Sequence, residues 1–384
     1  MKPRILLLSA YDANSHRLWR ERLAQLFPDY EWTQLALPPR HFNWRIRGNS
    51  LCWAFADNDS AVDIGRGDYE LLIATSMVDL ASLRGFIPAL ANIPNLVYFH
   101  ENQFVYPASS QRKENIEPQL LPLYTALCAD AVVFNSHYNR DSFLDGARSL
   151  LQKLPDTPAK SILLKLEQSR VIPVPLMQLP KPSPKTSPAA EAQAADSLCL
   201  EVLWNHRWEH DKGPDLLLEV VRIICRRKIK LRLHIVGEQF RQAPASCAEI
   251  KQLLQRQQGL PGKDFEFGFL ADPQRYLELL SSCDVVLSTA LHDFQGLAIQ
   301  EACVAGCTPL TPDDLVYPEY LAAEFLYPRA DSHSATATGI VTRLMQWQQL
   351  KLAGEKLPKA NLENYRASAV RKLYARIFSE LTDR

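Results

Sequence analysis

Short, unbroken apolar runs recur along the first half of the chain: RILLLSA, YELLIATS, NLVYFHE, DAVVFNS and SRVIPVP. They do not alternate with polar residues, so they predict strands buried on both faces rather than half-exposed ones. Segments of helical period lie between several of them, as in HRLWRERLAQLF and QLLPLYTALCA. After residue 197 the pattern resumes with LEVLWNH, a helix from Pro214 to about Arg227, LRLHIVG, a helix around Ala248 to Gln258, FEFGFL, a helix near Gln274 to Ser282, and VVLSTA. Leu297 to Ala305 predicts a short buried helix opening just after Gly296, and the stretch from Leu362 to Leu381 predicts a final helix of mixed charge. Strand–helix alternation on this scale predicts parallel sheets with helices on both faces.

Between the halves, KPSPKTSPAAEAQAADS at 181–197 is rich in Pro, Ser and Ala and has no apolar period, as in a linker or insertion. The expected organisation is therefore a first domain over 1–180, the linker at 181–197, and a second domain over 198–384 that includes the last helix. A chain of 384 residues is long for one core and suits two. No apolar run reaches the roughly 18 residues of a membrane span, and the N-terminal MKPRILLLSAYD turns polar too early for a signal peptide. The eight cysteines sit mostly in apolar segments with no C-x2-C spacing, which fits reduced thiols and a cytoplasmic location. Lys plus Arg and Asp plus Glu both total 43, so a nucleic-acid partner would have to rely on a local patch.

Dinucleotide binding is argued against, because SAYDANSH after the first strand holds no glycine and neither G-x-G-x-x-G nor a P-loop occurs anywhere. A phosphate site is better placed in the second half. Arg207 and Lys212 stand just ahead of the helix opened by Pro214, a fork and a point charge able to neutralise a diphosphate. Val236-Gly237 ends the next strand, and Phe269 and Leu270 follow another where a purine could stack. Asp293 and Glu301 lie eight positions apart around Gly296, whose following helix aims N–H groups at an anion. Two carboxylates so placed can accept hydrogen bonds from a sugar hydroxyl and from a ribose diol.

This ordered set, Arg207–Lys212, Val236–Gly237, Gly268, Asp293–Gly296–Glu301 and Gly306, resembles the nucleotide-sugar half of retaining group 4 glycosyltransferases of the GT-B type. Three further stretches, SAYDANSHRLWRERL, YFHENQFVYP and GCTPLTPDDLVYPE, resemble a glycosyltransferase-like-domain-containing subfamily with members that mannosylate queuosine in tRNA. The resemblance covers nearly the whole chain apart from 181–197. It implies an α/β GT-B fold, two doubly wound Rossmann-like domains facing a central cleft. It also implies transfer of mannose from GDP-mannose to the queuosine of tRNA-Asp, with retention and without a metal.

The implied roles fall residue by residue. Arg207 and Lys212 would hold the diphosphate and Glu301 the ribose. Asp293 would take hydroxyls of the hexose, and Gly296, Leu297 and Ala298 would offer backbone groups to phosphate. Gly237, Phe269 and Leu270 would complete the donor site. His100 would face the sugar as a neutral donor, with His16, Glu101, Asn102, Arg45 and Arg47 on the acceptor side. The group often has glutamate where this chain has Asp293, and SAYDANSH replaces its usual Gly-rich loop. The segment RHFNWRIRGNSLCW at 40–53 interleaves arginines with aromatics and has no acid, and Arg17, Arg20 and Arg22 add charge nearby, a composition suited to unstacked RNA bases. The D-x-D of Asp57-Asn58-Asp59 sits in a polar turn of the wrong half for a metal-assisted donor site. Two other readings stay open, a lipid or polysaccharide acceptor and a non-catalytic RNA-binding protein of the same fold. Oligomeric state is not legible.

Overall fold

The computed structural model describes residues 2–56, 64–105, 116–180, 199–239, 244–256 and 265–383. The linker at 181–197 and the D-x-D at 57–59 lie outside the described residues. The chain forms two compact units, Met1–Met177 with Glu363–Arg384, and Gln178–Leu362.

In the first unit a parallel sheet runs in the order β2-β1-β3-β4-β5-β6, with β1 at Arg4–Ser9, β2 at Glu31–Ala36, β3 at Leu71–Thr75, β4 at Asn95–Phe99, β5 at Ala131–Phe134 and β6 at Arg170–Val171. The inner strands match the unbroken apolar runs: Ile5 to Leu8 and Leu71 to Ala74 are buried, because helices cover both faces. EWTQLA of β2 is only half-buried, as suits an edge. Of the predicted strand SRVIPVP only Arg170–Val171 pairs as a strand. Its helices are α1 at Asn14–Leu26, α2 at Phe42–Ala54, α3 at Leu80–Phe86, α4 at Glu117–Cys128, α5 at His137–Leu151 and α6 at Ala159–Leu166.

The second sheet, β12-β11-β10-β7-β8-β9, is likewise parallel, with β7 at Leu200–Asn205, β8 at Leu231–Val236, β9 at Phe267–Gly268, β10 at Val285–Leu287, β11 at Thr308–Pro312 and β12 at Leu326–Tyr327. The strand order reverses between β7 and β10, and ligands of open α/β sheets bind beyond the carboxyl ends of the strands at such a point. Its helices are α7 at Pro214–Arg227, α8 at Ala245–Arg256, α9 at Pro273–Ser282, α10 at Leu297–Ala305 and α11 at His333–Leu352. In α7, Pro214 sits at the first turn where its missing N–H costs nothing, and Leu216, Leu217, Val220, Val221, Ile223 and Ile224 form the buried stripe. Each such side chain contributes about 1.5–3 kcal/mol on burial. Lys228 in the left-handed region ends the helix.

The last helix, α12 at Ala367–Thr382, corrects the expected domain boundary. It packs with the first unit, not the second. Its Tyr374 hydroxyl accepts from Trp19 Nε1 at 2.8 Å, Phe378 lies 5.1 Å from the Phe27 ring, and the Arg371 guanidinium lies over that same ring, 5.1 Å from its centroid. Leu176 bridges to Arg366 in parallel, so the returning chain pairs with the segment by which it left the first unit. An amphipathic pattern marks an apolar face but does not say which core receives it.

Candidate functional site

The second unit carries the residues expected to bind the donor, near its switch point. β7 ends at Asn205, His206 and Arg207 follow it, and the chain then turns through a short helical segment at His210–Lys212 to Gly213. Gly213 has a φ of 64°, and a Cβ there would lie 2.0 Å from the Thr289 carbonyl oxygen at the end of β10. Only glycine lets the cation-bearing turn lie against the neighbouring strand. Gly237 plays the same part at the end of β8, where a Cβ would meet the His206 carbonyl at 1.8 Å.

Lys212 is buried, and its ammonium donates to the His292 carbonyl at 2.8 Å. It lies 3.2 Å from Asp211 Oδ2 and 3.9 Å from Asp293 Oδ2. The Arg207 guanidinium is 3.0 Å from Glu209 and 3.9 Å from Asp211, with 41% of its side chain exposed and so within reach of a ligand. The two cations are thus held in place by carboxylates of their own turn. Burial pushes the Glu209 carboxyl up, against the pull of Arg207. Asp293, far from Lys212 in sequence, thus comes within 3.9 Å of it, beside the turn that also carries Arg207.

Asp293 is fastened by the loop it occupies. Its Oδ1 accepts from the Gly296 N–H at 3.0 Å and its Oδ2 from the Tyr317 hydroxyl at 3.1 Å. Burial works to raise its carboxyl, but Lys212 and these hydrogen bonds prevail and hold it below the usual range, so it stays ionised. The Gly296 N–H, expected for phosphate, is spent on Asp293. An anion at the start of α10 would therefore meet the N–H groups of Leu297 and Ala298. Glu301 stands one turn inside α10, half-buried, with its charge felt by the Tyr276 phenol. Asn205 ties these parts together, donating to the Tyr276 hydroxyl at 2.9 Å and the Ala298 carbonyl at 3.2 Å. Phe269 is 63% exposed beyond β9, free of the core and available for stacking, and Leu270 beside it is half-buried.

Several residues of this site escaped the sequence reading: Asn205, His206, Tyr276, Ser288, His292 and Tyr317. His206 and His292 are buried and their imidazoles fall to about 4, through desolvation and then the Lys212 charge, so both are neutral. The one available signal was their position, directly beside Arg207 and Asp293.

In the first unit His100 follows β4 and is buried. It stacks on His16 at 4.0 Å and 19°, with Trp19 and Tyr98 edge-on at 4.9 and 4.8 Å. Burial, reinforced by His16, drives its pKa well below the ordinary value. His16, expected on the acceptor side, is buried and stacked on His100. Asn102 is also buried, donating to Asn139 and Ser142, while Glu101 is half-buried. The basic patch is poorer than its composition. Arg47 pairs with Asp79 and Glu117, Arg20 with Asp12 and Gln34, and Arg22 is buried on the Pro175 carbonyl. Arg45 is half-buried, with Nη1 3.7 Å from Cys52 Sγ. Trp44 is 53% exposed, whereas Trp53 packs on the core.

Among the described residues no group of three His, Cys, Asp or Glu side chains is set to hold a metal, all eight cysteines are free thiols, and no helix is long and apolar enough to cross a membrane.

A family model for the N-terminal region of tRNA-queuosine alpha-mannosyltransferase matches residues 4–176, and one for group 1 glycosyl transferases matches residues 200–357. A tRNA-queuosine alpha-mannosyltransferase of Drosophila melanogaster is 33% identical over 329 residues, which cover 85% of this chain and 84% of the fly protein. Among solved structures, Anabaena HepE in complex with UDP is similar with a TM-score of 0.60 at 16% identity, over 99% of this chain and 100% of that one. The trehalose-6-phosphate synthase OtsA gives 0.65 at 13% identity, over 98% and 99%. At such identities these two structures speak to the GT-B fold alone.

Proposed function

Because the chain belongs to the tRNA-queuosine alpha-mannosyltransferase family, within the GT-B glycosyltransferases, we propose that it transfers mannose from GDP-mannose to queuosine at the wobble position of tRNA-Asp. The observation that carries this reading is the match over residues 4–176, since the donor half is shared by group 1 glycosyl transferases at large.

Guanine stacks on Phe269, with Leu270 alongside. Glu301 receives the ribose hydroxyls, and the diphosphate lies against Arg207, Lys212 and the first N–H groups of α10. Asp293 accepts from hydroxyls of the mannose. As the bond to the sugar breaks, negative charge grows on the departing phosphate. Arg207 and Lys212, already fixed by Glu209 and Asp211, stabilise it without reorganising. These two side chains and the helix N-terminus supply the positive charge that a metal provides elsewhere, so the reaction is expected to run without one. His100, neutral in its buried setting, can donate to a sugar hydroxyl without opposing a cation-like transition state.

Retention follows from attack by the acceptor hydroxyl on the face the phosphate leaves, with a phosphate oxygen taking the proton. A tRNA acceptor is in keeping with a cytoplasmic enzyme. The test is to incubate the protein with separate nucleotide sugars and total tRNA, with and without a chelator, and to weigh the released nucleosides. Added hexose on queuosine from GDP-mannose, unaffected by chelation, is expected. Transfer to lipid with tRNA untouched would replace this reading.

A further inference from the structure

A line of buried polar groups crosses the switch point of the second sheet and ends on Asp293. His206 Nε2 lies 3.1 Å from Ser288 Oγ, Ser288 Oγ lies 2.8 Å from the Tyr317 hydroxyl, and that hydroxyl lies 3.1 Å from Asp293 Oδ2. Ser288 and Tyr317 are fully buried and His206 nearly so, while Asp293 keeps 16% of its side chain exposed. The four residues come from the end of β7, the end of β10, the loop before α10 and the turn after β11. Nothing in their spacing along the chain links them.

Counting hydrogens fixes the direction of the line. Ionised Asp293 can only accept, so Tyr317 spends its one proton there and its oxygen accepts from Ser288. Ser288 has then used its own proton, and its oxygen accepts from His206 Nε2–H and, at 3.3 Å, from the Ala290 N–H. Every donor points toward the carboxylate. A neutral imidazole protonated on Nε2 satisfies this order.

We propose that His206, Ser288 and Tyr317 are positioning residues that hold Asp293 ionised and in one orientation as the acceptor for a hydroxyl of the donor sugar. The proposal rests on the assignment of Asp293 to that sugar. Other charged or titratable groups facing Asp293 are Lys212 from the turn before α7 and His292 from its own loop, while Asp211 and Arg207 act on the neighbouring His206 and His292. Removing the Tyr317 hydroxyl changes none of these charges. It deletes one hydrogen bond to the ionised form alone, so Asp293 must gain its proton at higher pH. A packing role for Tyr317 would leave that titration where it was.

The experiment compares wild type with Tyr317→Phe in donor hydrolysis to water and in transfer to tRNA across the acid range, alongside GDP affinity. Expected are a kcat lower by about 10- to 100-fold, in keeping with loss of a hydrogen bond to a charged group, an acid limb moved to higher pH, and unchanged GDP affinity. Ser288→Ala should move the limb the same way by less, and His206→Gln, which can donate in place of Nε2, should keep more activity than His206→Ala. A slower Tyr317→Phe with an unmoved acid limb, or one at full rate, would overturn the proposal. If Tyr317→Phe loses GDP binding it has failed to fold, and Ser288→Ala then decides by the same readouts. Carbon-13 NMR of labelled aspartate, with the Asp293 signal identified by Asp293→Asn, follows the carboxyl without need of turnover. A wild type that turns over no donor would defeat the functional reading, and the relay would still stand or fall on whether Tyr317→Phe raises that titration.

Discussion

Lys212 is the side chain on which charge, packing and chemistry converge. It lies between Asp211 and Asp293 and donates to a backbone carbonyl, so Lys212→Ala takes away both the proposed diphosphate contact and the partner of two poorly exposed carboxylates. Turnover is expected to fall by about 10²–10³-fold, more than donor affinity falls, because the charge it meets grows in the transition state. Glu301→Ala should do the reverse and weaken GDP binding by about tenfold or more with little effect on the saturated rate. Titration calorimetry with GDP and steady-state rates separate the two.

The buried histidines set a pH dependence of stability. His206 and His292 titrate near 4 when folded and near the ordinary 6.5 when unfolded, so the unfolded chain binds more protons between those values. Their contribution is whole above about pH 6.5 and is lost as pH falls toward 4, on the order of 3 kcal/mol each. Asp293, depressed in the fold, carries the loss on to lower pH with the same sign. Urea midpoints that hold steady from pH 7 down to pH 5 would contradict these assignments. Sequence alone pointed to Arg207, Lys212, Asp293 and Glu301 through their order along the second half, around Pro214 and Gly296, which resembles a nucleotide-sugar site. It could not assign His206, Ser288 and Tyr317, which gain meaning only from contacts made in the fold. Nor could it show that Arg47, Arg20 and Arg22 spend their charge on Asp79 and Glu117, on Asp12, and on a buried carbonyl.

Elements converge on the site through glycines at strand ends. Gly213 and Gly354 both adopt left-handed φ, 64° and 74°, yet a Cβ would strike the Thr289 carbonyl at 2.0 Å in the first and meets nothing within 4 Å in the second. Gly354→Ala should therefore cost only the left-handed penalty, about 1 kcal/mol. Gly213→Ala should cost more and also weaken GDP binding, since the turn bearing Lys212 must lift off β10. Equal denaturation midpoints for the two variants would refute the close-approach argument. The strand–helix alternation was legible because β1, β3 and β4 are buried on both faces. SRVIPVP and FEFGFL predict longer strands than β6 and β9, since both stretches are mostly apolar but pair over two residues each.

At the scale of the whole molecule, the chain leaves its first unit at Met177 and returns at Glu363. The returning α12 buries Val370, Tyr374, Ile377, Phe378 and Leu381. A chain ending at Leu362 exposes that apolar seat on the first unit and removes the partner of Trp19, so it should lose cooperative unfolding of the first unit. The second unit, which keeps its own core, should go on binding GDP. Near-ultraviolet circular dichroism and GDP titration of the shortened chain check both expectations. Intact signals from both units would show that α12 is dispensable.

The most direct trial of the functional account uses one tRNA-Asp in two forms, alike except for queuosine or guanosine at the wobble position, each incubated with GDP-mannose labelled in the sugar. The account predicts label on the queuosine form and none on the guanosine form. Equal labelling of both, or of neither, would contradict it.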